Sequence, residues 1–451
     1  MALIELDRDA PLEQAPGRRP PPWRYRHAGL LMTAVLMLAL GGAAPYAATL
    51  WRELGTIGQA GDPETPIQLA GGRLYTVGMS ERYHEVTAWA LDGPPRRVWT
   101  ARTPIGMSYN PVSGYFGAFT VRQAGDVVLL SEGFATTALD KRTGQTRWTL
   151  PLAVWLLGTG GVGLAAEQVF RPGTVYDQAS GDPGALYFSA TGEPHTEPPV
   201  RTQVHGVDLA TGEVRWTTTP GGSVTVDPVH GDVPAVLITS SDRLTLHDGD
   251  TGDVRAEVAL PELNGSGPVT ASVAGDVALI SYRDPGQQVA YDVRTLRRLW
   301  SRDLPEVPGD VPDCRQVICW GPRNDLYILD PATGEPAWPA NGDIDITVRA
   351  GFVLETKVRT GRPDRLADLR DGTNRVVLTG WDRVLPGDPD ATVVVRRDGD
   401  DGGQIFAAVR PGHPELRILG TADVDSDDCA ADDHRLVCRD SSGLRVWAYR
   451  I

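Results

Sequence analysis

Short apolar runs recur along this chain, each flanked by alternating segments. "DVVLLSE" (residues 126–132), "AVLITSS" (235–241) and "VALISYR" (277–283) are continuous apolar stretches of strand length. Next to each lies a segment in which apolar and polar residues alternate up to an Asp, then a turn, then a second alternating segment, in most copies with a Trp. The copies are "TAWALDGPPRRVWTA" (87–101), "ATTALDKRTGQTRWTL" (135–150), "HGVDLATGEVRWTTT" (205–219), "LTLHDGDTGDVRAEV" (244–258), "VAYDVRTLRRLWSRD" (289–303) and "LYILDPATGEPAWPA" (326–340). One apolar run differs: residues 28–50 carry no charge and are several times longer than any of these.

The repeated acids are Asp92, Asp140, Asp208, Asp248, Asp292 and Asp330. Most of their spacings are about 40 residues, the period of a four-stranded propeller blade. The pattern predicts an all-β fold: a single β-propeller of four-stranded blades, eight favoured and seven to nine possible, after one N-terminal transmembrane helix. The long gap from Asp140 to Asp208 predicts an insertion. In the motif, Asp140, Asp208 and Asp330 are placed to accept N–H bonds from the turn that follows. Gly144, Gly212, Gly252 and Gly334 suit a positive φ. Trp148, Trp216, Trp300 and Trp338 offer a large face to a neighbouring blade. Past residue 340 the copies weaken, at 365–381, 404–420 and 443–451. The last of these stops after one strand, and its missing outer strand is expected from residues 49–58, which carry a Trp of their own.

"ALDKRTGQTRW", "VDLATGEVRW" and "LYILDPATGEPAW" resemble the repeat of pyrroloquinoline-quinone-type, or quinoprotein-like, β-propellers, most clearly over residues 85–340. The resemblance implies the propeller fold. It spans quinoprotein dehydrogenases and non-enzymatic, membrane-anchored envelope propellers. The dehydrogenases hold a vicinal Cys–Cys disulfide and a Ca²⁺ site of Glu, Asn and Asp. This chain has no adjacent Cys pair, and no segment aligns with the Ca²⁺ ligands. The fold is therefore carried over without the activity: no catalytic residue, cofactor or metal is expected.

Residues 1–27 are polar and Pro-rich, with Arg18, Arg19, Arg24 and Arg26 before the apolar run. A run of 28–50 is long enough to span about 30 Å of hydrocarbon as a helix. Flanking arginines stay cytoplasmic. The expected layout is a disordered cytoplasmic tail (1–27), a transmembrane helix (28–50) that contacts the bilayer, and a propeller (51–451) outside the cell membrane. A cleaved signal peptide is the alternative; Pro45 and Tyr46 interrupt its cleavage region.

Four cysteines form two close pairs, Cys314 with Cys319 and Cys429 with Cys438, candidate disulfides in an oxidising compartment. The alternative is four reduced thiols. A formal charge of -15 sets the chain against nucleic acid. "DVDSDDCAADDH" (423–434) lacks the Gly and Glu that a hand-type calcium loop needs, so it is expected to be a solvated acidic turn. "GTGGVG" (158–163) lacks the helix pattern and acid of a dinucleotide site. The function expected is a binding or scaffold module for an envelope protein, peptide or glycan. The alternative is a quinone-dependent dehydrogenase using pyrroloquinoline quinone and Ca²⁺.

Overall fold

The computed structural model describes residues 51–451, except 64, 81–82, 105–118, 133–134, 159, 183, 190–192, 221–224, 230–232, 305–313, 315, 322–325, 341–342, 388–391 and 399–402. The expected tail and membrane span lie outside the described residues. Among the described residues no helix is long and apolar enough to cross a membrane.

The chain from Trp51 to Ile451 is a β-propeller built of antiparallel sheets in chain order. Blades 1 to 8 occupy residues 68–104, 120–150, 155–218, 225–259, 270–303, 319–339, 344–377 and 383–422. Blade 9 takes three strands from 429–449, and Trp51–Ile57 pairs with Gly443–Tyr449 as its fourth. The N-terminal strand thus closes the ring onto the C-terminal one.

The blade number is nine among the described residues, within the expected range and one above the favoured eight. The three weak copies past residue 340 each belong to a blade, and the insertion adds none. It sits inside blade 3, between the strands Val162–Val169 and Arg201–Asp208. There it forms a small hairpin, Tyr187–Phe188 against Pro194–His195. Its own core is His195, stacked on Phe170 at 3.8 Å and bonded to the Thr174 hydroxyl at 2.9 Å. Blade 6 shows three strands among the described residues.

Hydrophobic clusters fill every blade junction. Val127 and Leu129 pack against blade 3, while their alternates Val128 and Leu130 pack against blade 1. A strand buried on both faces reads as a continuous apolar run, which explains "VVLL" and "AVLI". The ring closes in the same way: Leu54, Ile57, Val437 and Val446 of blade 9 meet Leu74 and Leu91 of blade 1.

Most blades also balance volume between their third and fourth strands. Where the fourth strand carries Trp, the facing residue is usually small: Ala88 opposite Trp99, Ala138 opposite Trp148, Gly206 opposite Trp216, Ala290 opposite Trp300. Where the Trp is missing, the facing residue is large: Leu246 opposite Ala256, Leu366 opposite Val376, Phe406 opposite Gly420. Close packing demands this exchange, since neither a void nor an overlap is tolerated.

Candidate functional site

The repeated motif forms the seams between blades. Asp140 Oδ1 accepts from the N–H groups of Arg142 at 3.0 Å and Thr143 at 2.9 Å. Asp208 does the same with Ala210 and Thr211, and Asp330 with Ala332 and Thr333, at 2.8 to 3.0 Å. The second carboxylate oxygen pairs with an Arg on the next strand in several blades: Arg147 with Asp140 at 2.6 Å, and Arg215 Nε with Asp208 at 2.9 Å. The Arg255 hydrogen bond, with the turn N–H groups, holds Asp248 down at about 2 against the opposing effect of burial.

Each motif Trp docks on the turn of the following blade. A Cβ added to Gly212 would stand 2.5 Å from Trp148, and one on Gly144 would stand 2.7 Å from Trp99. Gly252 lies under Trp216 and Gly334 under Trp300 in the same way. Trp148 Nε1 then donates to Leu209 O at 2.9 Å and Trp216 Nε1 to Gly249 O at 3.0 Å. Trp338 packs over Gly372, and its indole N–H has no partner.

Two positions depart from the expected repeat. Among the described residues Asp92 makes no bonds to the turn N–H groups and forms an exposed pair with Arg96 at 3.5 Å. The register puts Ala90 where other blades carry the motif Asp, and the longer turn with Pro94 and Pro95 displaces Asp92. Conversely, Asp368 belongs to the repeat. It accepts from Arg370 N at 2.9 Å, pairs with Arg375 and lies four residues before Gly372, whose φ is 65°. The signal in the sequence is an Asp and a Gly four residues apart, as at 140–144, 208–212 and 330–334.

The cysteines form two disulfides, Cys314–Cys319 and Cys429–Cys438. The second ties directly opposed residues of adjacent strands in the closing blade. The first joins a loop residue to the first described strand of blade 6 rather than two strands of a hairpin.

First strands of blades 1, 2, 3 and 9 converge on a cavity of about 1020 Å³. Its wall includes Gln68, Arg122, Gln123, Asp428 and Asp432. Gln68 bridges to blade 2, donating to Phe119 O at 3.3 Å and accepting from Val121 N at 3.4 Å. Gln123 lays its amide over Gly71, where a Cβ would meet Oε1 at 1.8 Å, and that oxygen is buried without a partner. Asp432 accepts from the N–H groups of His434 and Arg435, and burial pushes its pKa up despite them. In the acidic segment 423–434, Arg439 pairs with Asp428 and Arg383 with Asp427. Among the described residues no three His, Cys, Asp or Glu side chains gather as a metal site. The cavity offers amides and engaged carboxylates, a surface for polar contact.

A family model, PQQ_2, described as "Outer membrane protein assembly factor BamB", matches residues 46–340. The chain belongs to this family. The matched region ends with blade 6, and blades 7 to 9 complete the ring beyond it. Among solved structures, BamB from Moraxella catarrhalis is 13% identical, with a TM-score of 0.38, over 88% of this chain and 98% of that one. A europium-containing methanol dehydrogenase is 12% identical, with a TM-score of 0.41, over 89% and 94%. No curated protein matches the chain.

Proposed function

We propose that this propeller is an extracytoplasmic binding or scaffold module for a cell-envelope protein, held at the membrane by residues 28–50 with the N-terminus in the cytoplasm. Membership of the BamB family over residues 46–340 carries this reading. The Asp–Gly–Trp motif serves the ring, so recognition falls to what the blades project. Among the described residues blade 3 exposes more large apolar side chains than any other blade: its insertion exposes Val175, Tyr187 and Val200, and its first strand exposes Trp155. Aromatic side chains displayed in this way are enriched at protein interfaces. The acidic surface favours a partner with basic segments.

The test is affinity capture from solubilised membranes, comparing wild type with Tyr187→Ala and Trp155→Ala. A protein retained by wild type and released by either variant, at an unchanged melting temperature, supports the reading. Reconstitution with pyrroloquinoline quinone and Ca²⁺ that yields cofactor absorbance and dye-linked alcohol oxidation overturns it in favour of a dehydrogenase.

A further inference from the structure

Blades 4 and 5 border an open cleft of about 260 Å³. Thr225, Thr239, Ser240, Ser241 and Thr270 line it with hydroxyls, beside Val269 and Ala271. Thr225 and Thr239 face each other across the first two strands of blade 4. Both Oγ1 atoms are buried and have no hydrogen-bond partner, and Thr239 is only 5% exposed. Two residues deeper on the same strand face, Asp227 sits opposite Leu237, and its Oδ2 is also buried and unpartnered. Leu237 packs into the cluster shared with blade 5, so this face looks across the seam. Three orphaned polar atoms on one buried face cost the fold stability.

Blade 1 shows one way in which this place is filled. Gln68 pairs with Tyr75, and Asp227 with Leu237, each partner lying two residues into its second strand. Gln68 plugs its seam by bonding Phe119 O and Val121 N of blade 2. The corresponding backbone in blade 5 is that of Val269 and Ala271, which lines the cleft. Asp227 is one methylene shorter than Gln and lacks the amide donor. Asp227 makes no such bond to blade 5, and beside the apolar cluster of this seam the cleft remains, lined by Val269, Ala271 and the hydroxyl residues.

We propose that this cleft is a binding site for a neutral polyhydroxylated ligand, a single sugar residue or a small polyol. Its volume corresponds to roughly eight or nine waters at about 30 Å³ each, the size of one such ring. Hydroxyls both donate and accept, so they match a ligand whose own groups do both. An ammonium ion would leave the site's hydroxyl protons without acceptors. A calcium ion takes six to eight oxygens, several of them usually carboxylates, and this face carries one carboxyl. The inference stands apart from the scaffold reading, which concerns blade 3.

The experiment is ligand-observed NMR on the full chain in a detergent without sugar headgroups. The probes are glucose, N-acetylglucosamine, myo-inositol, glycerol and calcium chloride. Variants are Thr239→Val, which keeps the shape and removes the hydroxyl, and Asp227→Gln, which restores the plug of blade 1. The expected result is saturable binding of a sugar or polyol that weakens about tenfold or more in both variants, with melting temperatures at or above wild type. The site is overturned if no sugar or polyol binds, if binding is unchanged in both variants, or if calcium alone binds and is lost with Asp227→Gln.

Discussion

Trp51 lies on Gly420. A Cβ at residue 420 would stand 2.8 Å from the indole Cγ, and the ring stacks on Phe406 at 5.5 Å and on Trp447 at 5.4 Å. Gly420 faces Phe406 at the bulge where Trp148 faces Ala138 and Trp216 faces Gly206. Blade 8 therefore lacks a Trp of its own in that slot, and the N-terminal strand of blade 9 supplies the indole from outside. Gly420→Ala should destabilise by about 1–3 kcal/mol through overpacking. Trp51→Ala should cost about 3–5 kcal/mol. In the double variant the cost of the alanine at 420 should nearly vanish, because the ring it strikes is gone. Urea unfolding of the four proteins measures the coupling; additive effects would refute the contact.

Blades 4 and 5 show the same compensation in another form. Ala256 stands where the neighbouring blades carry Trp, and Leu296 stands where they carry the turn Gly, at φ 54°. The two share one apolar cluster, with the leucine filling the volume an indole would take. Ala256→Trp alone should lose about 1–3 kcal/mol by overpacking, and Leu296→Gly alone about 2–4 kcal/mol by leaving a cavity. Together they should restore the seam to within about 1 kcal/mol of wild type. A double variant worse than either single would sink the idea.

Asp227 sets a pH dependence. Burial, with no compensating partner, pushes its pKa from 3.8 up to about 6. Between those values the folded protein binds more protons than the unfolded chain, so stability falls as pH rises through about 4 to 6. The penalty is complete above pH 6 and absent below about pH 4, about 3 kcal/mol for a shift of this size. Asp227→Asn should therefore gain stability over wild type at pH 7.5 and lose that advantage at pH 4. Melting curves at both values read this directly; a gain of equal size at both would exclude titration as its cause.

The Cys429–Cys438 bridge crosses neighbouring strands of the closing blade, nine residues apart in sequence. A loop of this length should contribute about 2–3 kcal/mol through the unfolded state. Cys429→Ser/Cys438→Ser should lower the melting temperature, and dithiothreitol should lower wild type toward the double variant while leaving that variant with only the effect of Cys314–Cys319. Equal melting of oxidised wild type and double variant would show that the bridge adds nothing.

What could be read along the chain was local. The turn of Asp208 spans five residues, and its bonds to Ala210 and Thr211 lie within that span. Such a turn repeats wherever the same residues recur, so Asp140, Asp208 and Asp330 are visible in a linear text. Asp368 escaped because its turn reads "DLRDG" instead of ending in Thr-Gly, and because Val376 replaces the Trp that should follow. Asp92 misled for the opposite reason: the letters recur, but two prolines lengthen the turn and shift the register.

The sequence by itself determined the period, the strand alternation and the chemistry of each turn, because a hairpin needs only its own residues to form. The tertiary structure decided the number of blades, the place of the insertion and the partner of every Trp. Those depend on contacts between blades, such as Trp51 on Gly420, and on volumes that balance only when distant strands are brought together. It also decided that Gln68 fills its seam and Asp227 does not, since one side-chain methylene and one amide determine whether a polar group reaches the next blade.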